Sequence, residues 1–364
     1  MPANVILFTG FPGFLGSELL PRILSRPEDR RAVCLVQGKF AGLARRRLRD
    51  LAERHPGLDK RVSFLEGDIA QPGLGTPGSV ALADDVVEIF HLAAVYDLAV
   101  GRELAEKVNV EGTRQVLDFA ERCSHLEAVH YVSTCYVSGW YSGLFTEADL
   151  DKGQAFKNHY EETKFRAEVL VQERMRRGMP IAVYRPAIVV GDSDTGATQK
   201  YDGIYFFIRL ILRQPGVAFV PVVGDPDTVR YNFVPRDFVV RAIAHLSGQP
   251  ASRGRVFHLA DPDPSTLGQV IDGIGKAAGR RVVRIPLPLG LARAIMDYVP
   301  FVERVLGVPS AGLDYYVCSS AYATDNTFAQ LRGSGIELPR LLDFLPKLVS
   351  YVHAHPDVPS AAMV

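Results

Sequence analysis

A tyrosine and a lysine four residues apart are the side chains in this sequence with the clearest chemical potential. Tyr160 and Lys164 lie in the segment NHYEETKFRAE, which has the composition of a solvated helix. A spacing of four places both side chains on one face of a helix, where they can act together. A free tyrosine has a pKa of about 10, so it needs a nearby ammonium to stabilise its phenolate near neutral pH. The same spacing also occurs on ordinary surface helices, so the pair needs support from the rest of the chain.

Three glycines near the N-terminus predict a dinucleotide-binding loop. Gly10, Gly13 and Gly16 lie between the apolar segment VILFT and the helical pattern SELLPRIL. In such a loop the first glycine permits a tight turn, the second lets a diphosphate approach the backbone, and the third lets the helix pack on the sheet. Because the N-terminus of that helix points at the anion, we expect the amides of Phe14 and Leu15 to hold the phosphates.

The end of the second predicted strand bears on the choice between NADPH and NADH. The segment AVCLVQGKF carries Gln37 where a free ribose 2′-hydroxyl favours Asp or Glu. Lys39 and an arginine of the run RRR, which we take as Arg47, lie within reach of the same position. Cations favour a 2′-phosphate, so the sequence predicts NADPH over NADH.

Further polar and small residues follow in a defined order along the chain. Asp68 lies in GDI, Ala93 and Ala94 in HLAA, Asn109 in VNVEGT, and Thr134 in YVSTCYV. Each polar residue has an ordinary alternative, because Asp68 could form a turn, Asn109 could begin a helix, and Thr134 could satisfy a backbone amide. In this order, and combined with the glycine loop and the tyrosine-lysine pair, they resemble the extended short-chain dehydrogenase/reductase superfamily over most of residues 1 to 260.

Within that superfamily the sequence is most similar to the thioester reductase and fatty acyl-CoA reductase branch. The segments GDIAQPGLG, YVSTCYV, YRPAIVVGDSDTG and NFVPRDFVV carry the similarity. Two positions depart from the branch: Gln37 stands where arginine is common, and Arg236 stands where a small apolar residue is common. The resemblance implies an NADPH-dependent oxidoreductase that reduces an acyl thioester, carried by coenzyme A or an acyl carrier protein, to an aldehyde. Further reduction to the alcohol stays open.

The resemblance also implies roles for individual residues. Thr134 would hydrogen-bond the substrate carbonyl, Tyr160 would donate a proton to its oxygen, Lys164 would also hold the nicotinamide ribose, and Asn109 would support a relay water. Ser133 competes with Thr134, but alternation along the strand and the register of the family favour Thr134. Beyond the glycine loop and the second strand, the resemblance implies cofactor contacts from Asp68, Ile69, Ala93, Ala94, Pro186 and Ile188.

Other functions remain alternatives at this stage. A dehydrogenase or reductase of a ketone or secondary alcohol, with a sterol-like or β-keto lipid substrate, would use the same four catalytic residues. A nucleotide-sugar epimerase or dehydratase would favour NAD and an acid at the end of the second strand. A non-catalytic dinucleotide sensor would commonly have lost the tyrosine or the lysine. Release of free thiol distinguishes thioester reduction from all of these.

The elements that must position these residues follow from the hydrophobic pattern. Apolar runs of four to six residues alternate with helical patterns through the first half of the chain. This predicts an α/β fold, a Rossmann-type doubly wound parallel sheet, with a smaller, mostly C-terminal substrate-binding part. The dinucleotide-binding domain is predicted over residues 1–190 and about 230–260, and the substrate-binding part over about 191–229 and 261–364. Substrate contacts are expected from Tyr201 to Arg209 and after Ile285.

Composition restricts the class of partner and the location. The 364 residues include 41 basic and 41 acidic side chains, which argues against a nucleic-acid partner. No apolar run reaches transmembrane length, although the interrupted apolar segment Ile285–Pro309 leaves a weak membrane-surface contact open. The four cysteines lack CxxC spacing and no signal peptide is evident, so we expect reduced thiols and a cytoplasmic location.

Two further expectations concern metals and assembly. His353 and His355 lie close together, but no partner cluster with ligand spacing accompanies them, so no metal site is predicted. A homodimer formed through a helix pair is a habit of the resembling family and is an expectation on that ground alone.

Overall fold

The computed structural model describes residues 4–26, 29–298, 315 and 320–359. The strands, in chain order, are β1 (Val5–Thr9), β2 (Arg31–Val36), β3 (Val62–Glu66), β4 (Val86–His91), β5 (Ala128–Val132), β6 (Gly143–Phe145), β7 (Ile181–Pro186), β8 (Ile188–Val190), β9 (Val217–Val223), β10 (Phe233–Pro235), β11 (Arg255–Leu259), β12 (Arg281–Leu287) and β13 (Ser320–Tyr322).

Helices connect these strands. They are α1 (Phe14–Leu24), α2 (Ala41–Arg54), α3 (Leu58–Arg61), α4 (Ser79–Leu82), α5 (Arg102–Ala105), α6 (Gly112–Ala120), α7 (His159–Arg176), α8 (Ile204–Leu212), α9 (Arg236–Ser247), α10 (Leu267–Ala277), α11 (Leu289–Tyr298), α12 (Asp325–Leu331) and α13 (Leu341–Ala354). A π-helical segment, Glu106–Glu111, joins α5 to α6.

A parallel sheet forms the centre of the fold. Within the described residues, seven strands pair in the order β11-β7-β5-β4-β1-β2-β3, and every neighbouring pair is parallel. The strand order reverses direction between β1 and β4, and in open parallel sheets such a reversal creates a crevice outside the carboxyl ends of the strands. The predicted Rossmann-type doubly wound sheet is therefore confirmed.

Both faces of the sheet are covered, which explains the near-continuous apolar runs of its strands. All five residues of β1 are buried, as expected for a central parallel strand. Neighbouring residues of β1 point to opposite faces: Phe8 packs in a cluster with Leu19 of α1 and Phe238 of α9, whereas Leu7 packs in a cluster with Val171 of α7.

A separate hydrophobic cluster holds the smaller part together. It contains buried residues of α8, α10, α13 and β9. Tyr201 and Tyr205 belong to it, and their hydroxyl groups are committed, because Tyr201 donates to the carbonyl of His355 at 2.8 Å and Tyr205 accepts from the amide of Gly191 at 2.7 Å. These two residues of the predicted substrate-contact segment therefore build the core of the smaller part. The exact domain boundaries stay a prediction.

Several sequence-based expectations concern residues in or near undescribed segments. Cys34, Cys123 and Cys135 are buried free thiols, and Cys318 lies outside the described residues. Of the segment Ile285–Pro309, the structure describes β12 and α11, and residues 299–309 lie outside it. No helix in the described ranges is long and apolar enough to cross a membrane.

A buried ion pair fixes α7 against the sheet. Arg185 of β7 and Glu168 of α7 have fully buried side chains, with Nη2 and Oε1 2.6 Å apart. Arg185 Nε also donates to both carboxylate oxygens of Glu168, at 3.0 and 3.1 Å. Ser133, directly after β5, donates its hydroxyl to Oε2 of the same carboxylate at 2.6 Å. One carboxylate thus connects α7 to two strands of the sheet.

We expect Glu168→Gln to reduce the free energy of unfolding by about 3 kcal/mol, because it leaves the buried Arg185 charge without its counter-ion. Urea denaturation at neutral pH measures the change. Glu173→Gln on the same helix is the matched control, since Glu173 pairs with Arg177 at an exposed i,i+4 position. That variant should stay within about 0.5 kcal/mol of the parent protein. Equal losses in the two variants would contradict the importance of the buried pair.

Candidate active site

The predicted site residues gather at the carboxyl edge of the parallel sheet. Gly10 follows β1, Ala93 lies just beyond β4, Thr134 lies just beyond β5, and Ile188 begins β8 immediately beyond β7. Carboxyl ends of parallel strands meet at one edge, so these four positions, distant in sequence, come to one side of the molecule.

The glycine loop is folded so tightly that it has no room for side chains. Gly10 has φ of +93°, and a Cβ there would lie 2.9 Å from the amide nitrogen of Ala93. A Cβ at Gly13 would lie 2.7 Å from the carbonyl oxygen of Gly10. Helix α1 begins at Phe14, and Gly13, its N-cap, has no side chain to accept from the first amides of the helix. The amides of Phe14 and Leu15 are therefore available to an anion, as the sequence predicts for a dinucleotide phosphate.

The end of β2 carries charges of both signs. Gln37 precedes the short 3₁₀ turn that begins at Gly38. Lys39 is exposed and Arg47 on α2 is partly exposed. The carboxylate of Glu66, at the end of β3, lies so close to Gly38 that a Cβ there would be 2.6 Å from Oε1. A negative group thus lies on the same edge as the two predicted cations.

Asp68 and Ile69 are placed by local packing. The Asp68 carboxylate accepts a hydrogen bond of 2.9 Å from the amide of Ala70, so it stabilises the turn after β3. Ile69 is buried, and its side chain lies against Gly112, where a Cβ would come within 2.8 Å of it. Both residues follow β3, which lies beyond β2 at the edge of the sheet, and their contact with the cofactor stays a prediction.

The remaining predicted cofactor contacts border the crevice beyond β4 and β7. Ala94 is half-buried in the loop after β4. The carbonyl of Pro186 accepts a long hydrogen bond of 3.5 Å from the hydroxyl of Thr134. The amide of Ile188 donates to the carbonyl of Asn232 at 3.0 Å, which joins β8 to the segment before β10.

Tyr160 and Thr134 bring two hydroxyl groups to the same place. Asn158 caps α7 by accepting from the amide of Glu161 at 3.0 Å, so Tyr160 lies in the first turn of the helix. Its phenol lies beside the hydroxyl of Thr134. Burial raises the pKa of Tyr160 to about 12, and the hydrogen bond from Thr134 opposes that shift. The phenol therefore keeps its proton at neutral pH, as a proton donor must.

Lys164 lies one turn further along the same face of α7, and its ammonium reaches β5. Its Nζ donates to the phenol oxygen of Tyr131 at 3.0 Å and to the carbonyl of Val132 at 2.9 Å. Burial lowers the pKa of Lys164 to about 8, and the carboxylate of Glu168 partly offsets the shift. Lys164 thus lies one helical turn from Tyr160, as its spacing predicts, and its ammonium forms hydrogen bonds with Tyr131 and Val132 of the sheet.

Asn109 holds the helices of the site together. It lies in the π-helical segment, a local form that often marks functional sites. Its Oδ1 accepts from the amide of Val95 at 2.8 Å, and its Nδ2 donates to the carbonyl of Val95 at 3.0 Å and to the hydroxyl of Thr163 at 3.1 Å. The side chain therefore ties the loop after β4 to α7, and its predicted support of a relay water stays a prediction.

A small cavity lies beside Tyr136, two residues after Thr134 in the chain. Lys157 in its wall is almost fully buried and donates to the carbonyl of Gly139 at 2.5 Å. Tyr315 donates to Glu161 at 2.6 Å. The residues of the wall are mostly able to form hydrogen bonds, and they include Tyr136, Lys157, Tyr231, Asn232, Tyr315 and Tyr322.

Two residues near the crevice were missed as functional candidates in the sequence. Tyr131 on β5 contacts Lys164, which lies 33 residues later in the chain, and no local sequence pattern indicates such a contact. Arg236 begins α9 with 9% of its surface exposed, and its guanidinium carbon lies 5.2 Å from the ring centre of Phe14. Its ion pair with Asp192 is long, at 3.6 Å. The signal for Arg236 was its departure from the small apolar residue common in the branch.

The sequence pattern of an NAD-binding family described as male sterility protein matches residues 8–243. The chain belongs to this family. The matched range contains the glycine loop, Thr134, Tyr160 and Lys164, so the site just described lies within the family's own portion of the chain. The resemblance inferred from the sequence, to NAD(P)-dependent reductases of the extended short-chain type, is confirmed.

The curated relatives of this chain include large synthetases and reductases. The nonribosomal peptide synthetase FrzA of Cladobotryum sp. is 31% identical over 379 residues, which cover 93% of this chain and 36% of FrzA. The glycine betaine reductase ATRR of Emericella nidulans is 32% identical, over 75% of this chain and 22% of its own. The aldehyde reductase lnbA of Aspergillus flavus is 27% identical, over 85% and 31%. The chain thus spans about a fifth to a third of the length of these relatives.

Solved structures share the fold over nearly the whole chain. The terminal R domain from the myxalamid PKS-NRPS pathway has a TM-score of 0.83 and 27% identity, covering 99% of this chain and 93% of that domain. A thiolation-reductase di-domain from an archaeal nonribosomal peptide synthetase has a TM-score of 0.75 at 19% identity, covering 98% and 76%. The UDP-glucuronic acid 4-epimerase of Bacillus cereus in complex with NAD has a TM-score of 0.68 at 20% identity, covering 98% and 99%. At such identities the last two show the fold alone.

We expect Lys164 in the cofactor-free protein to titrate at about pH 8, because burial disfavours its charged form. Below that pH the amine is a charged donor, and above it the amine is neutral. Carbon-13 NMR of protein labelled at lysine Cε measures the titration, and Lys164→Arg identifies the signal by its loss. A midpoint near the ordinary lysine value of 10.5 would contradict the burial seen here.

Proposed function

We propose that this protein is an NADPH-dependent reductase that converts an acyl thioester into an aldehyde and a free thiol. The observation that carries the proposal is the half-buried phenol of Tyr160 beside the hydroxyl of Thr134, at the edge of the sheet that holds the glycine loop. A protonated phenol beside a second hydroxyl can bind an oxygen that becomes negative while its carbon is reduced. Lys164, one helical turn away, supplies positive charge to the same region below its pKa.

The glycine loop fits the diphosphate of a dinucleotide. Its glycines permit the tight turn into α1, and that helix begins without a side-chain cap, so the amides of Phe14 and Leu15 stay available to the diphosphate. Nicotinamide, when bound, supplies the hydride. Lys39 and Arg47 support a ribose 2′-phosphate, and the absence of an acid at Gln37 removes the usual partner of a free 2′-hydroxyl.

The side chains of the site account for the proton in this reaction. The substrate carbonyl oxygen accepts from Thr134 and Tyr160, and Tyr160 transfers its proton to that oxygen as hydride adds to the carbonyl carbon. The product of this step is a hemithioacetal. Its collapse breaks the carbon-sulfur bond, forms the aldehyde and releases the thiol, with the hydroxyl proton passing to sulfur. Tyr160 then regains one proton from solvent, so one NADPH and one proton are consumed for each thioester.

The names of the relatives support a carrier-bound acyl group as the substrate of this protein. FrzA is a peptide synthetase, and one structural neighbour joins a reductase to a thiolation domain. Coenzyme A thioesters present the same reacting group. The cavity wall beside Tyr136 offers phenols and the Lys157 ammonium, which favours acyl groups that carry polar atoms over plain hydrocarbon chains.

Reduction of an aldehyde is the second candidate, because two relatives from Aspergillus flavus are named aldehyde reductases. The same hydroxyl pair would protonate the alkoxide that forms when hydride adds to an aldehyde. No carbon-sulfur bond breaks in that reaction, so free thiol separates the two activities. Both together would produce an alcohol from a thioester with two equivalents of NADPH.

We expect purified protein to oxidise NADPH with acyl thioesters and to release free thiol in step with it. Tyr160→Phe should lower kcat by roughly 100-fold or more, because it removes the general acid. The assay follows absorbance of NADPH and thiol together, with short, long, hydroxylated and amino-substituted acyl groups on coenzyme A and on a carrier protein. Tyr351→Phe on α13, remote from the site, is the matched control and should keep full activity. NADPH loss without thiol would overturn thioester reduction in favour of the second candidate.

We also propose that Arg236 contacts the cofactor diphosphate. Its guanidinium lies over the ring of Phe14, the first residue of α1, and is nine-tenths buried. Within the described part of the chain, its side chain has one long ion pair, to Asp192, as its polar contact with another residue. A guanidinium with donors to spare beside a helix N-terminus is well suited to a diphosphate.

Two variants should separate the parts of the cofactor. Lys39→Ala should raise the dissociation constant of NADPH by about tenfold and leave that of NADH unchanged, because only NADPH has the 2′-phosphate. Arg236→Gln should raise both constants by a similar factor, since the diphosphate is common to both, and Arg236→Lys should retain part of the affinity. Fluorescence titration of each cofactor measures the constants, with Arg54→Ala in the last turn of α2 as the control. Equal affinity of the parent protein for NADPH and NADH would defeat the proposed preference.

A further inference from the structure

A chain of buried hydrogen bonds leads from the glycine loop to Lys164. Thr9, the last residue of β1, is hydrogen-bonded to His91 Nδ1 at 2.8 Å, and His91 Nε2 lies 3.1 Å from the hydroxyl of Thr113. The hydroxyl of Thr113 lies beside the phenol of Tyr131, and the phenol oxygen lies 3.0 Å from the ammonium of Lys164. All five side chains are at most 4% exposed. The chain therefore lies wholly beneath the crevice.

The backbone carbonyl of Asn109 fixes the direction of the hydrogen bonds at His91. Thr113 donates its only proton to that carbonyl at 2.6 Å, so its oxygen accepts from His91 Nε2. Nδ1 of the neutral imidazole then accepts from Thr9, whose oxygen also accepts from the amide of Ala93 at 3.2 Å. His91 is then the neutral tautomer with its proton on Nε2.

Tyr131 is an acceptor for the ammonium. An ammonium has N–H donors and no lone pair, so the phenol oxygen of Tyr131 accepts from Lys164. The ring of Tyr131 adds a second attraction, since the ammonium lies 4.6 Å from its centroid. Of the three N–H groups of Lys164, two are committed within the described residues, to Tyr131 and Val132. The third is left for a ligand.

We propose that Tyr131, oriented by Thr113, is a positioning residue that holds Lys164 in its charged form and aims its remaining N–H group into the site. The proposal deepens the proposed function, because it assigns the residue that prepares Lys164 for reduction. Burial and the charge of Lys164 lower the pKa of His91 to about 3, so the imidazole stays neutral beside the ammonium.

Tyr131→Phe removes the acceptor and keeps the ring. Loss of a hydrogen bond to a charged group should lower the pKa of Lys164 by about one unit, seen in the carbon-13 titration of the labelled protein. With a thioester substrate, kcat at neutral pH should fall roughly tenfold, and the alkaline limb of kcat/KM should move to lower pH by a similar interval. A residue that merely supports the fold would leave the titration and the alkaline limb in place.

Thr113 provides the independent variants. Thr113→Val should shift the Lys164 titration in the same direction by less, and Thr113→Ser should restore the parent value because it keeps the hydroxyl. In the double variant with Tyr131→Phe, the shift should equal that of Tyr131→Phe alone, since Thr113 acts through the phenol. Tyr184→Phe is the matched control, because it removes another buried phenol. Tyr184 lies on β7, and its phenol oxygen is 3.1 Å from Nδ1 of His130. The variant should leave the titration midpoint of Lys164 unchanged.

The titration needs no substrate, which separates this inference from the proposed function. A parent titration midpoint retained in Tyr131→Phe, or a double variant whose shift is the sum of the two single shifts, would overturn the role of Tyr131. A shifted midpoint in Tyr131→Phe, together with a parent protein that releases no thiol from any thioester, would support the role of Tyr131 at Lys164. The same result would overturn thioester reduction.

Discussion

The buried ion pair between Arg185 and Glu168 is the constraint on which the geometry of the site depends. Neither charge can leave the other without a large desolvation cost, so the pair fixes both the rotation of α7 and its height above the sheet. That placement brings Tyr160 to Thr134 and Lys164 to Tyr131. Ser133 and Thr134, adjacent in sequence, divide the work: the Ser133 hydroxyl is committed to Glu168, whereas the Thr134 hydroxyl meets the phenol. The bond of Ser133 to Glu168 is a physical reason for the preference for Thr134 that the sequence predicts.

Burial has opposite effects on the pKa values of the two groups that define the site. It raises the pKa of Tyr160 to about 12 and lowers that of Lys164 to about 8, because a low-dielectric environment favours the neutral form of each. The phenol therefore holds its proton firmly until an adjacent oxygen gains charge. The amine, by contrast, is close to losing its proton under ordinary conditions, so the groups that retain its charge matter more than at an exposed lysine. Glu168 is one such group, and it belongs to the ion pair that also sets the helix.

Local patterns made the fold and the central residues predictable. The alternation of apolar runs and helical patterns predicts the parallel sheet, and the spacing of Tyr160 and Lys164 predicts their shared helix face, because both depend on neighbours in sequence. The contact of Lys164 with Tyr131, and that of Arg236 with Phe14, join segments far apart in the chain, and no local period reports them. The same holds for Asn109: its position was recognised, but its bonds to Val95 and Thr163 depend on how the π-helical segment packs.

The π-helical segment that contains Asn109 has a consequence for how this protein can change. Each residue of an α-helix advances by roughly 100° around the helix axis, and a π-helical turn contains an additional residue. The π-helical turn therefore sets the angle around the axis between the side chains of Asn109 and Thr113. Asn109 faces the loop after β4, while Thr113 must face His91 and Tyr131. Deleting one residue here would keep a helix yet turn one of these two side chains away from its partners. The length of this segment is therefore constrained as well as the identity of its residues.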